Sequence, residues 1–380
     1  MDGIGVGFLG LGAYLPEQVR TNDFWDEEWR EQHAARLATD LAGAVDEATR
    51  KRMADVDPEV AKCAAHYRTD LFRGTTERRV ISEDMLPSDI EVAACRAALD
   101  DAGVDVSEID ALMGQSLISD WYGELNHGAV ARKLGLRKDI AAFSLEAGCS
   151  SFLPQLTTAV RLVQVGEFDK VLIYVGDSSS LITDYDTPSS VLTGDGACAA
   201  VIGRVEDGAG YIAQAGVTHG EYHEGILCVP RSNPEIPHWR TDLMTDPMTV
   251  QNVDQKATHD MGAHAATLCR EVCDRVLDKA GYTGADIDAF VCAQSTAWFG
   301  EACCAALGID PRHRVPPEEH FERFGHLLSA SAPLNWIVAR QNGRVNPGDL
   351  VLAFSPGVGF TLYATLYRWH PVGKATPDPV

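Results

Sequence analysis

The sequence predicts an α/β protein in which one structural unit is written twice. Three observations carry this. Laid on itself, the chain repeats: Leu99-Asp-Asp-Ala-Gly-Val-Asp-Val-Ser-Glu-Ile-Asp-Ala-Leu-Met113 matches Leu277-Asp-Lys-Ala-Gly-Tyr-Thr-Gly-Ala-Asp-Ile-Asp-Ala-Phe-Val291, and both copies run on into Gln-Ser. Short apolar runs alternate with amphipathic helical patterns along most of the length. At 380 residues and 45% hydrophobic content, the chain can fill one large duplicated core.

The elements follow in order. Residues 4–14 alternate glycine with apolar side chains and meet Pro16, which suits a buried strand rather than a dinucleotide-binding turn, because no G-x-G-x-x-G opens a helix there. Residues 23–72 break the pattern. They are rich in Asp, Glu, Arg and Ala, with helical stretches at 26–36, 42–53 and 58–72, the last opened by Pro58. This insertion is either a helical cap over a substrate entrance or dimer edge, or a solvated charged appendage. Arg73, Arg78 and Arg79 mark a polar turn. A helix over 88–103 ends at Gly103, and a buried strand follows at 109–113. Residues 170–175 form another buried strand. The turn at Gly194-Asp195-Gly196 enters a third, with Asp195 fixing the turn. Residues 217–255 look loop-rich, and their histidines (219, 223, 238) fit no metal-ligand spacing. Strands at 350–354 and 360–367 close the second half, and the tail from Pro371 has no apolar period. The halves divide at 1–205 and 206–380.

The chemistry is expected at Phe143-Ser-Leu-Glu-Ala-Gly-Cys149-Ser-Ser-Phe152, where a short strand turns into a helix carrying Leu153, Leu156, Ala159, Val160 and Val163. A cysteine in the first turn of a helix meets unpaired N–H groups and the positive dipole end, which favour thiolate. A buried cysteine is more often packing than chemistry, but the repeat argues otherwise. Gly148-Cys149-Ser150 falls opposite Gly325-His326-Leu327, so halves packed about a pseudo-twofold axis would bring a thiol toward an imidazole. That is a nucleophile and a base. His320, flanked by Glu318, Glu319 and Glu322, reads as a surface residue.

Bulk properties exclude other classes. A net charge of −23 offers nucleic acid no basic stripe and exerts no broad pull on acidic carriers. No apolar run is long enough to span a membrane, and no basic, apolar leader opens the chain. Ten cysteines without CxxC spacing read as reduced thiols in a cytoplasmic protein. Cys269 and Cys273, with His264 nearby, sit one turn apart on an ordinary amphipathic helix, so no metal site is expected.

Gly74-Thr-Thr-Glu-Arg-Arg79, Ala147-Gly-Cys149-Ser-Ser-Phe152, Gly194-Asp-Gly-Ala197 and Gly357-Val-Gly-Phe-Thr361 come in the order and spacing of ketoacyl synthase III enzymes of the thiolase superfamily, which the chain resembles from Ile4 to about Trp369. The resemblance implies a thiolase-like five-layered α-β-α-β-α fold, a homodimer, and an acyl-CoA or acyl-carrier-protein thioester as donor substrate with no permanent cofactor. It implies phosphate contacts near Arg73, Arg78 and Arg79, a structural salt-bridge cluster being the alternative. It also implies substrate contacts from Trp121, His127 and Phe360.

The family carries a Cys-His-Asn triad. Cysteine maps onto Cys149. The family histidine lies in a His-Gln-Ala-Asn element that here reads Ala293-Gln294-Ser295-Thr296, and the Gly-Asn-Thr asparagine is replaced by His326. Losing a positioned enolate donor typically slows such a step by ~10²–10³. His326, with Gln294 or Thr296 beside it, remains able to deprotonate a nucleophile, or simply fills the asparagine site. The expectation is therefore acyl transfer from Cys149 to an alcohol, amine or thiol small-molecule acceptor, as in the ketosynthase-III-like acyltransferases of natural-product biosynthesis. The alternatives are decarboxylative Claisen condensation at a rearranged site, or a non-condensing partner subunit.

Overall fold

The computed structural model describes residues 4–42, 55–236, 242 and 245–373. Nearly all of the helix expected at 42–53, together with His238 and the last seven residues, lies outside them.

The chain opens with strand β1 (Val6–Tyr14) and a small hairpin-like pair, β2 (Gln18–Thr21) with β3 (Glu77–Val80). Between these two come α1 (Glu27–Ala42) and α2 (Pro58–Ala64). The first unit continues with α3 (Pro87–Ala102), β4 (Ala111–Ser116), α4 (His127–Leu134), β5 (Ala141–Ser144), α5 (Phe152–Gln164), β6 (Val171–Asp177) and β7 (Gly196–Arg204). The second runs β8 (Gly210–Thr218), a two-stranded excursion β9 (Ile226–Pro230) and β10 (Met248–Asn252), then α6 (Gln255–Ala263), α7 (Ala265–Ala280), β11 (Ala289–Cys292), α8 (Phe299–Leu307), α9 (Phe321–Phe324), α10 (Ser331–Gln341), β12 (Leu350–Gly357) and β13 (Thr361–Arg368). The short β9–β10 pair stands within the stretch expected to be loop-rich, 217–255.

The strand pairings repeat the sequence duplication. In the first unit β1 and β7 are antiparallel, β7 and β6 antiparallel, and β6 and β4 parallel. In the second, β8, β13, β12 and β11 pair with the same three senses. Strand β5 has only an isolated parallel bridge, Phe290 with Arg314, as its counterpart. The pairing of Val6 with Gly210 joins the strands of the two units into one nine-stranded run. The repeated Ala-Gly stops α3 and α7 alike, with Gly103 and Gly281 in left-handed caps at φ 64° and 78°.

Alternation along the strands sorts the core into layers. Met113, Ile173 and Ala200 face inward onto α5 and α10, while Leu112, Leu172 and Ala199 face outward onto α3 and α4. In the second unit Val291 and Ala353 share that inner layer, and Phe290, Leu352 and Phe354 pack outward onto α7 and α8. Helix, sheet, helix, sheet, helix is the thiolase-like arrangement. The glycines of β1 fit it: a Cβ on Gly10 would stand 2.5 Å from the Ala98 carbonyl oxygen, so α3 lies almost on the strand backbone.

Among the described residues, the insertion packs on the body at both its ends. Trp25 and Trp29 are buried against Tyr185, Val191 and Leu192, and Val60 and Cys63 of α2 are buried in the outer cluster of the second unit. Cys269 and Cys273 lie on the buried face of α7 with their sulfurs 3.8 Å apart.

Candidate active site

Cys149 occupies a tight turn between β5 and α5. The helix begins at Phe152 with Ser151 as its N-cap, so Cys149 stands ahead of the first helical turn rather than inside it. The turn is closed locally: the Ser151 hydroxyl accepts from Ala147 N–H at 2.8 Å and donates to the Gly148 carbonyl at 2.6 Å. Across the seam, Ser355 of β12 donates to the Cys149 carbonyl at 3.0 Å. Gly148 has φ 58° and a Cβ there would meet Val358 at 2.8 Å, while a Cβ on Gly357 would lie 2.2 Å from the Ala147 carbonyl oxygen. Small residues are therefore required on both sides of the seam.

The backbone N–H groups of Val358 and of Cys149 itself lie on the sulfur. They would equally serve a developing oxyanion on an acyl thioester. They do not make a thiolate. Burial, with the buried Asp177 carboxyl nearby, pushes the Cys149 thiol up to about 12, which corrects the expectation of a dipole-activated cysteine. The physical reason is position: outside the helix, the sulfur feels two local N–H groups but loses its water.

His326 lies in the facing segment of the second unit. Its N–H donates to the Leu192 carbonyl at 2.6 Å, and its carbonyl accepts from Gly194 N–H at 3.3 Å. The residue is half-buried. Its Nδ1 is 3.0 Å from the Ser331 hydroxyl, and the Gln294 backbone is a second hydrogen-bond partner. Burial lowers its pKa to about 4. With the thiol near 12 and the imidazole near 4, moving the proton from one to the other costs on the order of 10 kcal/mol. Burial thus favours the neutral thiol and the neutral imidazole over a thiolate–imidazolium pair.

Both candidate segments reach the carboxyl end of β12. Cys149 is tied to Ser355, and the adjacent Phe354 carbonyl accepts from Ala293 N–H at 3.1 Å, bringing Gln294 and then His326 alongside. Gln294 is buried, its Nε2 donating to the Val315 carbonyl at 2.7 Å, while its Oε1 and the Thr296 hydroxyl have no partner among the described residues.

His320 corrects a reading. It is fully buried, not on the surface, and its neighbour Glu319 turns out to Arg344 and Asn342 instead. Asn335, a fully buried amide between Leu334 and Trp336 in α10, holds His320 Nδ1 at 2.8 Å. A lone asparagine in such a helix is a sequence signal that could have found this pair.

The arginines divide. Arg78 is fully buried, donating to the Val191 carbonyl at 2.6 Å, to Asn22 Oδ1 and to the Thr75 hydroxyl, with its guanidinium 4.7 Å over the Trp25 ring. It cannot meet a phosphate, and the alternation Arg78/Val80 on β3 already put it on the inward face. Arg79 is half-buried, donating to the Pro16 carbonyl at 3.3 Å, and Arg73 is exposed. Asp195 does fix its turn, accepting from Ile81 and Ser180 N–H groups at 2.8 and 2.9 Å. Trp121 is exposed in the loop after β4; His127 opens α4 with Nδ1 3.0 Å from the Ser144 hydroxyl; Phe360 is buried edge-on to Tyr222 with φ 48°. None of these three is brought onto the Cys149 sulfur by a described contact.

Comparison with known proteins decides the family. Residues 143–220 match the model of 3-oxoacyl-[acyl-carrier-protein] synthase III, and residues 277–369 match that of its C-terminal part. The β-ketoacyl-[acyl-carrier-protein] synthase III of Bradyrhizobium diazoefficiens is 31% identical over 370 residues, covering 95% of this chain and 98% of the relative. The chain belongs to the ketoacyl synthase III family. A Bacillus anthracis member is 28% identical over 96% of this chain and 99% of its own. Among solved structures, the Thermus thermophilus ketoacyl synthase III superposes with a TM-score of 0.72 at 26% identity, covering 96% of this chain and 99% of that one. The Pseudomonas aeruginosa enzyme gives 0.73 at 24% identity, covering 97% and 100%, and supports the fold. As a ketoacyl synthase III relative, the chain is a transferase of the acyl transfer and condensation class. No helix among the described residues is long and apolar enough to cross a membrane.

Proposed function

We propose that the chain loads an acyl group from a coenzyme A or carrier-protein thioester onto Cys149 and then joins it to a malonyl-type thioester by decarboxylative condensation. In loading, the Cys149 sulfur attacks the thioester carbonyl, its proton leaves with the departing thiol, and the Val358 and Cys149 N–H groups hold the oxyanion. In condensation, the bond to the malonyl carboxylate breaks and releases carbon dioxide. Its electron pair forms the new carbon–carbon bond, and the cysteine sulfur leaves and takes up a proton. The observation that carries the proposal is the paired N–H groups on the Cys149 sulfur, in a chain aligned to ketoacyl synthases almost end to end.

Ala293 supports a second reading. Where the resemblance expects an imidazole there is a methyl group, and the acyl group would then pass to an alcohol, amine or thiol of a natural-product pathway. Family membership favours condensation. Feeding acetyl-CoA with malonyl-CoA separates the two. Carbon dioxide release that disappears in Cys149→Ala supports condensation, whereas acyl-enzyme formed with no carbon dioxide release supports the second reading. We further propose Arg73, with Arg79, as the phosphate contact of the donor, and a homodimer paired across β5, an edge strand bonded on one side to β4.

A further inference from the structure

We propose that His320 is an additional catalytic residue, an imidazole whose buried, unpartnered Nε2–H receives the oxygen of the second substrate's carbonyl. The inference rests on the two-step reading above and assigns a residue to its second step.

The hydrogen bonds fix the tautomer. Cys292 N–H donates to Asn335 Oδ1 at 3.0 Å, so the Asn335 amide can turn only its Nδ2 toward His320. That Nδ2 lies 2.8 Å from His320 Nδ1. An amide NH₂ donates only, so Nδ1 accepts and the ring proton sits on Nε2. His320 Nε2 is buried and has no partner among the described residues. Leaving such a buried donor unpaired costs stability. A donor so thoroughly positioned and left empty fits a site whose acceptor arrives with the ligand.

Location favours the reacting centre over a mere packing fault. One amide group separates His320 from the end of β11, immediately before Ala293 and Gln294. His326 is its titratable neighbour, and His326 is half-buried where His320 is fully buried, so an incoming group meets His326 first and His320 behind it. Two further unpartnered polar atoms, Gln294 Oε1 and Thr296 Oγ1, belong to the same segment. Burial and the neighbouring His326 hold the His320 ring neutral, which keeps it a hydrogen-bond donor and makes it no use as an acid. A carbonyl or enolate oxygen is the chemical partner such a group takes.

The test separates loading from discharge. The full-length protein is acylated with acetyl-CoA and followed by intact mass. The isolated acyl-enzyme is then mixed with malonyl-CoA, or with N-acetylcysteamine as a plain thiol acceptor. His320→Ala is expected to load like the wild type but to discharge at least ~10²-fold more slowly. His320→Gln, whose side-chain amide can place an N–H near Nε2, should recover most of the loss, which a structural role would not predict. Nitrogen-15 spectra should show His320 as the Nε2–H tautomer, unchanged between pH 5.5 and 8.5, and this reading holds even if His320→Ala does not fold. Discharge of His320→Ala at the wild-type rate, no recovery in His320→Gln, or an Nδ1–H tautomer overturns the proposal. A wild type that never forms an adduct overturns the functional reading and this inference together.

Discussion

Ser355 and Cys149 are joined across the pseudo-twofold seam, the serine hydroxyl of one unit donating to the cysteine carbonyl of the other at 3.0 Å. This one bond places the nucleophile's backbone under the control of β12, while the loop beyond β12 brings the Val358 N–H to the sulfur. The thiol and one of its N–H partners therefore come from the first half of the chain, and the Val358 N–H comes from the second. Neither half alone holds the site.

Ser355→Ala should remove about 1 kcal/mol and lower the melting temperature by a few degrees. Because the cysteine turn is then free to shift, loading from acetyl-CoA should slow by roughly tenfold or more. Gly357→Ala should be more severe, since its Cβ would collide with the Ala147 carbonyl at 2.2 Å. Stopped-flow acylation alongside a thermal melt checks both.

Alkylation of Cys149 by iodoacetamide should rise about tenfold per pH unit from pH 6 to 9 without a plateau. A thiol pushed up to about 12 is protonated throughout that range, and only the growing thiolate fraction reacts. A plateau near neutral pH would mean an activated thiolate, contrary to the site described.

Acid should destabilise the fold through its buried histidines. His320 and His326 are lowered to about 3 and about 4 by burial, so unfolding takes up protons once pH falls below the ordinary histidine value. Their contribution is complete above about pH 6.5 and fades as pH falls toward the folded values, amounting to about 2 kcal/mol for each histidine by pH 5. His320→Gln should flatten the dependence of unfolding free energy on pH over that interval, measured by denaturant titration.

The arginines make opposite predictions. Arg78→Met should cost stability, roughly 3 kcal/mol, by stripping partners from Val191, Asn22 and Thr75, and should leave the KM for acyl-CoA near that of wild type. Arg73→Ala should raise the KM for acyl-CoA over that for a short pantetheine thioester. Steady-state kinetics with both donors reads the difference.

Much of this was legible in the chain because the duplicated stretch carries its own punctuation. Each copy holds the glycine that ends a helix and the apolar run that forms the next strand, so layer order followed from local signals. Cys149 was legible for the same reason. Its protonation state was not, because it depends on where the helix starts: Ser151 caps a turn later than the pattern implied, and burial then outweighs the two N–H groups. His320 was hidden by its neighbours. Glu319 and Phe321 point oppositely, and the backbone at His320 (φ −139°, ψ −77°) turns the ring inward to an asparagine fifteen residues on. No short-range pattern encodes that meeting. Arg78, by contrast, was misread although its alternation with Val80 was visible, because an arginine cluster suggests phosphate before it suggests core.

The central claim is that Cys149 carries the acyl group, and peptide-level mass spectrometry after incubation with acetyl-CoA measures it most directly. One acetyl group on the peptide containing Cys149, lost on hydroxylamine treatment as a thioester is and absent in Cys149→Ala, is the predicted result. A protein that stays unmodified, or one acetylated at another residue with Cys149 free, would contradict the account.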